Sequence, residues 1–270
     1  MTGLALIAGT GALPRLLAEA LSEPFVLAEM EGFASEVGGQ APLRFRIERL
    51  VPFLDHLLDR GVRRVVLAGA MRRPQIEPEL FDARTATLVP RLVAAMQAGD
   101  DATLRAVIGI FEEWGFDVLG ADAVAPDLVP GPGILTGQVS AADAADAARG
   151  AEIVAALGAV DVGQGAVVAQ GLCLALETLP GTDAMLHFAA RHGGLRPDPA
   201  GARGVAYKAP KPGQDRRVDL PAIGPDTVAA AAAGGLAGIA WQAGGVLVLE
   251  RARTIAAAEA SGLFLWSREP

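Results

Sequence analysis

The sequence predicts an α/β fold in two parts. A doubly wound domain on a parallel sheet occupies residues 1–130, and a mixed α/β domain occupies residues 138–270. Three observations carry this. Short apolar runs alternate with helical stretches through the first half, the pattern of strands joined by crossover helices. The segment Val124–Gly137 holds Pro126, Pro130, Pro132, Gly131 and Gly133, and reads as a linker. Beyond it strands and helices continue without regular alternation.

In the first part, Leu4–Ala8 is a strand that ends in Gly9-Thr10-Gly11. Pro14 opens a helix through Leu21, because proline's missing N–H would be unpaired in a first turn anyway. Phe25–Ala28 reads as a second strand, Glu48–Arg60 as a helix stopped by Gly61, and Arg64–Ala68 as a third strand ending at Gly69. Helices follow around Thr87–Ala98 and Asp101–Trp114, with Gly99-Asp100-Asp101 as break and N-cap, and Phe116–Leu119 is a buried strand. The stretch 31–46 yields no reading.

The second part opens with a helix over Ala141–Leu157. Two short strands follow, Ala166–Ala169 and Leu172–Leu176, separated by Gln170-Gly171, and Thr182-Asp183 caps a helix through His192. Gly193–Gly204 is turn-rich. Thr227–Leu249 is apolar enough to span a bilayer, but alanine dominates its first part and five glycines interrupt the rest. It reads as a helix, a short strand, a glycine turn and another strand. The chain finishes in a strand over Leu263–Trp266.

Composition narrows the function classes. With 51% hydrophobic and 20% charged residues, 270 residues supply ample core. The net charge of −8, without a basic arm or block, argues against a nucleic-acid partner. The single cysteine, Cys173, excludes an intrachain disulfide and reads as an inert core residue of an apolar strand. His56, His187 and His192 lie in helical patterns without ligand spacing, which predicts structural roles. The N-terminus enters a strand without a basic leader, so no signal peptide and a cytoplasmic location are expected.

Against this background some residues stand out. The chain has two lysines, Lys208 and Lys211, and one tyrosine, Tyr207, all within five positions of Tyr207-Lys208-Ala209-Pro210-Lys211-Pro212. A merely solvated loop in so Arg-rich a chain would use arginine, so the run reads as a functional loop. Arg216-Arg217-Val218-Asp219 follows closely, and cations beside a lone carboxylate suit phosphoryl chemistry; a salt-bridged surface acid accounts for Asp219 equally well.

Glycine turns add further candidates. Gly9 and Gly11, where a strand turns into a helix, suit a phosphate as well as a tight turn. Pro14 stands where the dinucleotide fingerprint needs glycine, although Glu29 sits where a ribose-binding acid would be. Asp161-Val162-Gly163-Gln164-Gly165 offers close backbone approach and an amide, or a plain turn. Thr182 and Asp183 offer a hydroxyl and a carboxylate, or simply a helix cap, and Glu177 adds a second carboxylate on the same connection.

Several blocks, taken in order and spacing, resemble one family. They are LIAGTGALP at the start, GDDATLR at Gly99–Arg105, DVGQGAVV at Asp161–Val168, LETLPGTDAML at Leu176–Leu186, YKAPKPGQDRRVDLPAIG at Tyr207–Gly224 and GLAGIA at Gly235–Ala240. The family is the LpxI-type UDP-2,3-diacylglucosamine diphosphatases of Gram-negative bacteria. The resemblance implies a Rossmann-like N-terminal domain and a distinct C-terminal domain that carries the main catalytic motifs. It implies Mg²⁺-dependent hydrolysis of UDP-2,3-diacylglucosamine to UMP and 2,3-diacylglucosamine 1-phosphate (lipid X) in lipid A biosynthesis, with attack at the phosphorus nearer the sugar. Carried over by motif, Asp219 holds the metal or orients water, and Lys208 and Lys211 stabilise diphosphate charge. Gln164, Gly165, Thr182 and Asp183 contact substrate or metal, alongside Gly9 and Gly11. The expected partners are substrate and product, the inner face of the cytoplasmic membrane in passing, and a second copy in a homodimer. Two rivals are a non-catalytic lipid or nucleotide carrier and a nicotinamide-dependent oxidoreductase using Gly9, Gly11 and Glu29.

Overall fold

The computed structural model describes residues 3–71 and 75–270, and the chain divides into two compact units. The first comprises Met1–Pro126 with Asp215–Asp219, and the second Asp127–Gln214 with Leu220–Pro270. The segment that carries Asp219 therefore belongs to the first unit, although its neighbours in sequence belong to the second.

The first unit runs β1 (Leu4–Ala8), α1 (Ala12–Ala20), β2 (Phe25–Met30), β3 (Leu43–Phe45), α2 (Leu50–Asp59), β4 (Arg64–Ala68), α3 (Ala83–Ala86), α4 (Val89–Gln97), α5 (Asp100–Glu113), β5 (Asp117–Leu119) and α6 (Ala121–Val124). Its five strands lie in the order β3-β2-β1-β4-β5, every pair parallel. Leu4–Ala8 is buried at every position, as expected of a central strand covered on both faces. Leu50, Phe53, Leu54 and Leu57 of α2 pack with Ile108 and Phe111 of α5 against Val65 and Val118 of the sheet. Strand order reverses between β1 and β4, and loops leaving such strands are the usual ligand position in this architecture. Sequence reading missed β3, a three-residue edge strand without a buried residue.

The second unit runs β6 (Gly133–Thr136), α7 (Ala141–Ala159), β7 (Gly165–Ala169), β8 (Leu172–Leu176), α8 (Gly181–His192), β9 (Val205–Lys208), β10 (Ala222–Ile223), α9 (Pro225–Ala233), β11 (Gly238–Gln242), β12 (Leu247–Val248), α10 (Arg251–Ala260) and β13 (Phe264–Arg268). Six strands form a mixed sheet in the order β6-β13-β11-β9-β7-β8, and β10 pairs with β12 separately. In the six-stranded sheet β9, β11 and β13 are parallel and the other strands antiparallel to their neighbours, while β10 and β12 are parallel. Successive residues alternate between two cores, as the strand period demands. Val167, Ala206, Ile239, Trp241 and Leu265 meet α8, α9 and α10 on one face. Ala166, Val205, Tyr207, Ala240 and Phe264 meet Ala147 and Val154 of α7 on the other.

Three expectations are corrected. The Pro/Gly-rich linker contains β6, which begins just after Pro132 and pairs antiparallel with β13; Gly133 is tolerated because β6 is an edge strand. Tyr207 and Lys208 are not in a loop but in β9, buried inside the sheet, since Val205-Ala206-Tyr207 continues the strand and the turn begins only at Ala209. Cys173 is exposed rather than in the core, because β8 is the outer strand. The histidines are exposed as well. Thr227–Leu249 forms α9, β11, a turn and β12 as expected, and among the described residues no helix is long and apolar enough to cross a membrane.

Candidate active site

Strand alternation places Lys208 on the same face as Ala206, toward α8. Its residue is 4% exposed, so the ammonium needs partners inside the protein. Lys208 Nζ donates to Thr182 Oγ1 at 2.5 Å and to the Ala222 carbonyl at 3.4 Å, and lies 3.4 Å from Glu177 Oε2. The Thr182 hydroxyl in turn donates to Glu177 Oε1 at 3.1 Å. Thr182 is therefore no helix cap. Helix α8 begins at Gly181 behind Pro180, and the hydroxyl reaches across to the strand instead. Asp183, the next residue, is exposed on the first turn.

The glycines of Gly163-Gln164-Gly165 make room for Glu177. A Cβ on Gly163 would lie 2.0 Å from the Glu177 carbonyl oxygen, and one on Gly165 would lie 2.5 Å from Oε2. Glu177 N also donates to the Gly165 carbonyl at 2.8 Å. Gln164 is half-buried and its carbonyl accepts from Ala209 N at 3.0 Å, which fixes the exit of β9. Lys211 follows on that exit. Its Nζ pairs with Asp161 Oδ1 at 2.5 Å, and Gln214 Oε1 accepts from its backbone N–H at 2.8 Å. Both lysines are thus held by carboxylates from neighbouring motifs, Lys208 deep inside and Lys211 nearer the surface. Sequence reading noted Glu177 without a role and gave none to Asp161. The signal available for Glu177 was its place between a strand and a helix opposite two glycines.

Asp219 closes a turn of the first unit. Its N–H donates to the Asp215 carbonyl at 3.3 Å, and Arg217 grips the Asp215 carboxylate through Nε at 3.0 Å and Nη2 at 2.7 Å. Arg217 Nη1 also reaches Glu112 of α5 at 2.7 Å, while Val218 packs against the core. These bonds hold the Asp215 carboxyl below its ordinary value, with the Arg217 side-chain hydrogen bond as the largest cause. Asp219 thus sits at the end of a turn anchored by a two-pronged ion pair.

The first glycine turn is filled by the protein itself. Thr10 and Ala70 exchange backbone hydrogen bonds at 3.0 and 2.9 Å, and a Cβ on Gly9 would lie 2.6 Å from the Ala70 carbonyl. Gly9 serves that approach between loops, so the phosphate reading of this turn rests on Gly11, whose φ is 93° and whose Cα faces open space. Glu29 is 4% exposed, and its Oε1 already accepts from Ser35 N at 2.9 Å and Ser35 Oγ at 2.7 Å. Ser35 thus occupies one carboxylate oxygen, and the exposed Arg44 lies 3.7 Å from the other.

Comparison with known proteins agrees with the arrangement of motifs. Residues 3–128 match the model of the LpxI N-terminal domain, and residues 131–266 that of the LpxI C-terminal domain. The chain is also 40% identical to the UDP-2,3-diacylglucosamine pyrophosphatase LpxI of Caulobacter vibrioides, over 100% of this chain and 99% of that protein. With both domains matched in order and a full-length relative at that identity, the chain belongs to the LpxI family.

Proposed function

We propose that this protein hydrolyses the diphosphate of UDP-2,3-diacylglucosamine to UMP and 2,3-diacylglucosamine 1-phosphate in lipid A biosynthesis. The observation that carries the reading is the pair of lysines at the exit of β9, the only two in the chain, each held by a carboxylate. Support comes from the relative of Caulobacter vibrioides, whose name states a pyrophosphatase of that substrate. In the reaction a water oxygen bonds to the phosphorus nearer the sugar, the bond from that phosphorus to the bridging oxygen breaks, and UMP departs with that oxygen. The proton that the water loses as it attacks passes to solvent. Lys208 and Lys211 offset the charge that grows on the diphosphate oxygens, and fixed cations do so without reorganising at the moment of reaction. Gln164 and Asp183 are assigned to substrate contact, and Asp219 orients the attacking water or holds a metal.

Mg²⁺ is the metal proposed. It commonly keeps several waters and binds through one or two carboxylates plus substrate phosphates. The single carboxylate of Asp219 suits that mode, and among the described residues no group of three or more His, Cys, Asp or Glu is gathered for a caged ion. When bound with substrate, Mg²⁺ supplies charge neutralisation at the diphosphate. Because the substrate is a membrane lipid, we place the protein at the inner face of the cytoplasmic membrane.

The test is UMP release from UDP-2,3-diacylglucosamine with Mg²⁺, wild type against Asp219→Ala. The expected result is turnover by wild type and a loss of about a thousandfold or more in the variant, with substrate still bound. No turnover by folded wild-type protein would reject the reaction.

A further inference from the structure

Glu177 contributes no atom to the reaction written above, yet it contacts both Lys208 and its partner Thr182. Lys208 can only donate, so its contact with Thr182 Oγ1 uses a lone pair of that hydroxyl. The single hydroxyl proton then goes to Glu177 Oε1, 3.1 Å away. The direction of the chain is fixed as Lys208 to Thr182 to Glu177. Without the carboxylate the proton would be free to turn toward Lys208, where it would repel an ammonium hydrogen. We propose that Glu177 is a positioning residue: by holding the Thr182 proton it makes Thr182 an acceptor and so aims the Lys208 ammonium.

Two features distinguish this from an ordinary stabilising ion pair. The first is the geometry of the second oxygen. Glu177 Oε2 lies 3.4 Å from Lys208 Nζ and is buried without a hydrogen bond among the described residues, a poor arrangement if stability were its purpose. The second is how firmly the residue is held. Its backbone is bonded to Gly165, its carbonyl abuts Gly163 and its carboxylate abuts Gly165, so Gly163 admits its backbone and Gly165 its side chain. Such an arrangement fixes a group at the expense of sequence freedom.

The inference rests on the proposed reaction for its kinetic arm and is independent of it for the other. The kinetic arm measures UMP release by Glu177→Ala, Glu177→Gln and Thr182→Val, singly and as the Ala/Val double variant. Loss of a hydrogen bond to a charged group predicts a fall in kcat of roughly tenfold to hundredfold for Glu177→Ala, with KM moved less. The same substitution made in Thr182→Val costs less than about threefold more, because its route to Lys208 is already cut. Glu177→Gln, which keeps an acceptor for the hydroxyl, recovers most of the loss. Equal losses in both backgrounds, or a Gln variant as impaired as Ala, would show a merely structural residue and overturn the proposal.

The second arm needs no turnover. With two lysines in the chain, the ¹⁵N-lysine NMR spectrum contains two side-chain ammonium signals. Lys208 should show slow hydrogen exchange in wild type and lose it in both Glu177→Ala and Thr182→Val, with Glu177→Gln intermediate. A Lys208 signal unchanged in Glu177→Ala overturns the proposal, whatever the wild-type activity. Absence of wild-type hydrolysis with the expected NMR result would instead reject the reaction and leave the positioning role standing.

Discussion

Gly9-Thr10-Gly11 and Gly163-Gln164-Gly165 carry the same glycine spacing in the two units, and in both the first glycine lets another part of the chain come close. In the first unit the visitor is the Ala70 carbonyl, and the result is a bridge between two loops, with the Thr10 hydroxyl donating to that same carbonyl at 3.1 Å. In the second it is Glu177, which brings a carboxylate within reach of a hydroxyl and a buried ammonium. A second pairing sharpens the contrast. Glu29 lies near the end of β2 and Glu177 just past β8, but Glu29 is bonded by Ser35 and faces only the exposed Arg44, while Glu177 faces a buried ammonium and leaves one oxygen without a hydrogen bond among the described residues. A glycine turn thus declares that something approaches, and only the identity of that something decides whether chemistry follows.

The largest expected effect tests the buried charges. Lys208→Met removes the cation and leaves the Glu177 carboxylate buried, which should lower stability by about 3 kcal/mol and abolish most turnover. Adding Glu177→Gln should restore much of the stability and none of the activity. The counterpart beside Glu29 is Arg44→Met. Arg44 is largely exposed and 3.7 Å from a carboxylate that has other partners, so its loss should cost under about 1 kcal/mol. Thermal unfolding of the variants measures both. Similar costs at the two positions would erase the distinction drawn between the acids.

A middle-sized effect tests the glycines directly. Gly163→Ala puts a Cβ on the Glu177 carbonyl and must move the backbone, so kcat for UMP release should fall by roughly tenfold or more, together with stability. Gly9→Ala forces apart the loops joined at Thr10 and Ala70 and should lower stability by about 1–3 kcal/mol, with the smaller loss of kcat. Measured at equal folded fraction, a kcat loss from Gly9→Ala as large as that from Gly163→Ala would show that the first turn holds substrate and break the comparison.

These contrasts also show what the sequence could convey. Leu4–Ala8 and Arg64–Ala68 were legible to the residue, because apolar runs bounded by glycine have few other readings. Leu172–Leu176 was legible as a strand, but not as the outer one, so Cys173 was placed in the core. Whether a strand is covered depends on which strands pair, and periodicity does not carry that. The same limit applies to Lys208. Its rarity marks it, but rarity does not tell a loop from a strand, and β9 continues through the lysine and buries it. Lys208, Thr182 and Glu177 were each noticed singly; their contact is set by the pairing of β7 with β8 and β9, which lies beyond local pattern. Asp219 shows the reverse case. Its motif lies in the second half of the sequence, while its turn is packed on the core of the first unit through Val218 and Arg217.

The smallest expected effect concerns that turn and the kind of acid that fixes it. Asp215, unlike Glu177, has both carboxylate oxygens in good hydrogen bonds to one guanidinium, and its pKa is depressed from an ordinary 3.8. A depressed pKa means that the folded protein favours the charged form, so the contribution to stability is full above about 3.8 and is lost as pH falls through the lower folded value. Arg217 is more than a third exposed, so solvent screens the pair and the effect should stay below about 1 kcal/mol. It should therefore appear locally, as a loss of hydrogen-exchange protection at the Asp219 amide, which donates to the Asp215 carbonyl. Protection factors measured from pH 5 down to pH 3 should fall in wild type and be low and flat in Asp215→Asn. If wild-type protection at Asp219 is unchanged across that range, the ion pair does not hold the turn. Its anchoring then comes from the apolar packing of Val218, and Asp219 owes its place to the same burial that shapes the rest of the first unit.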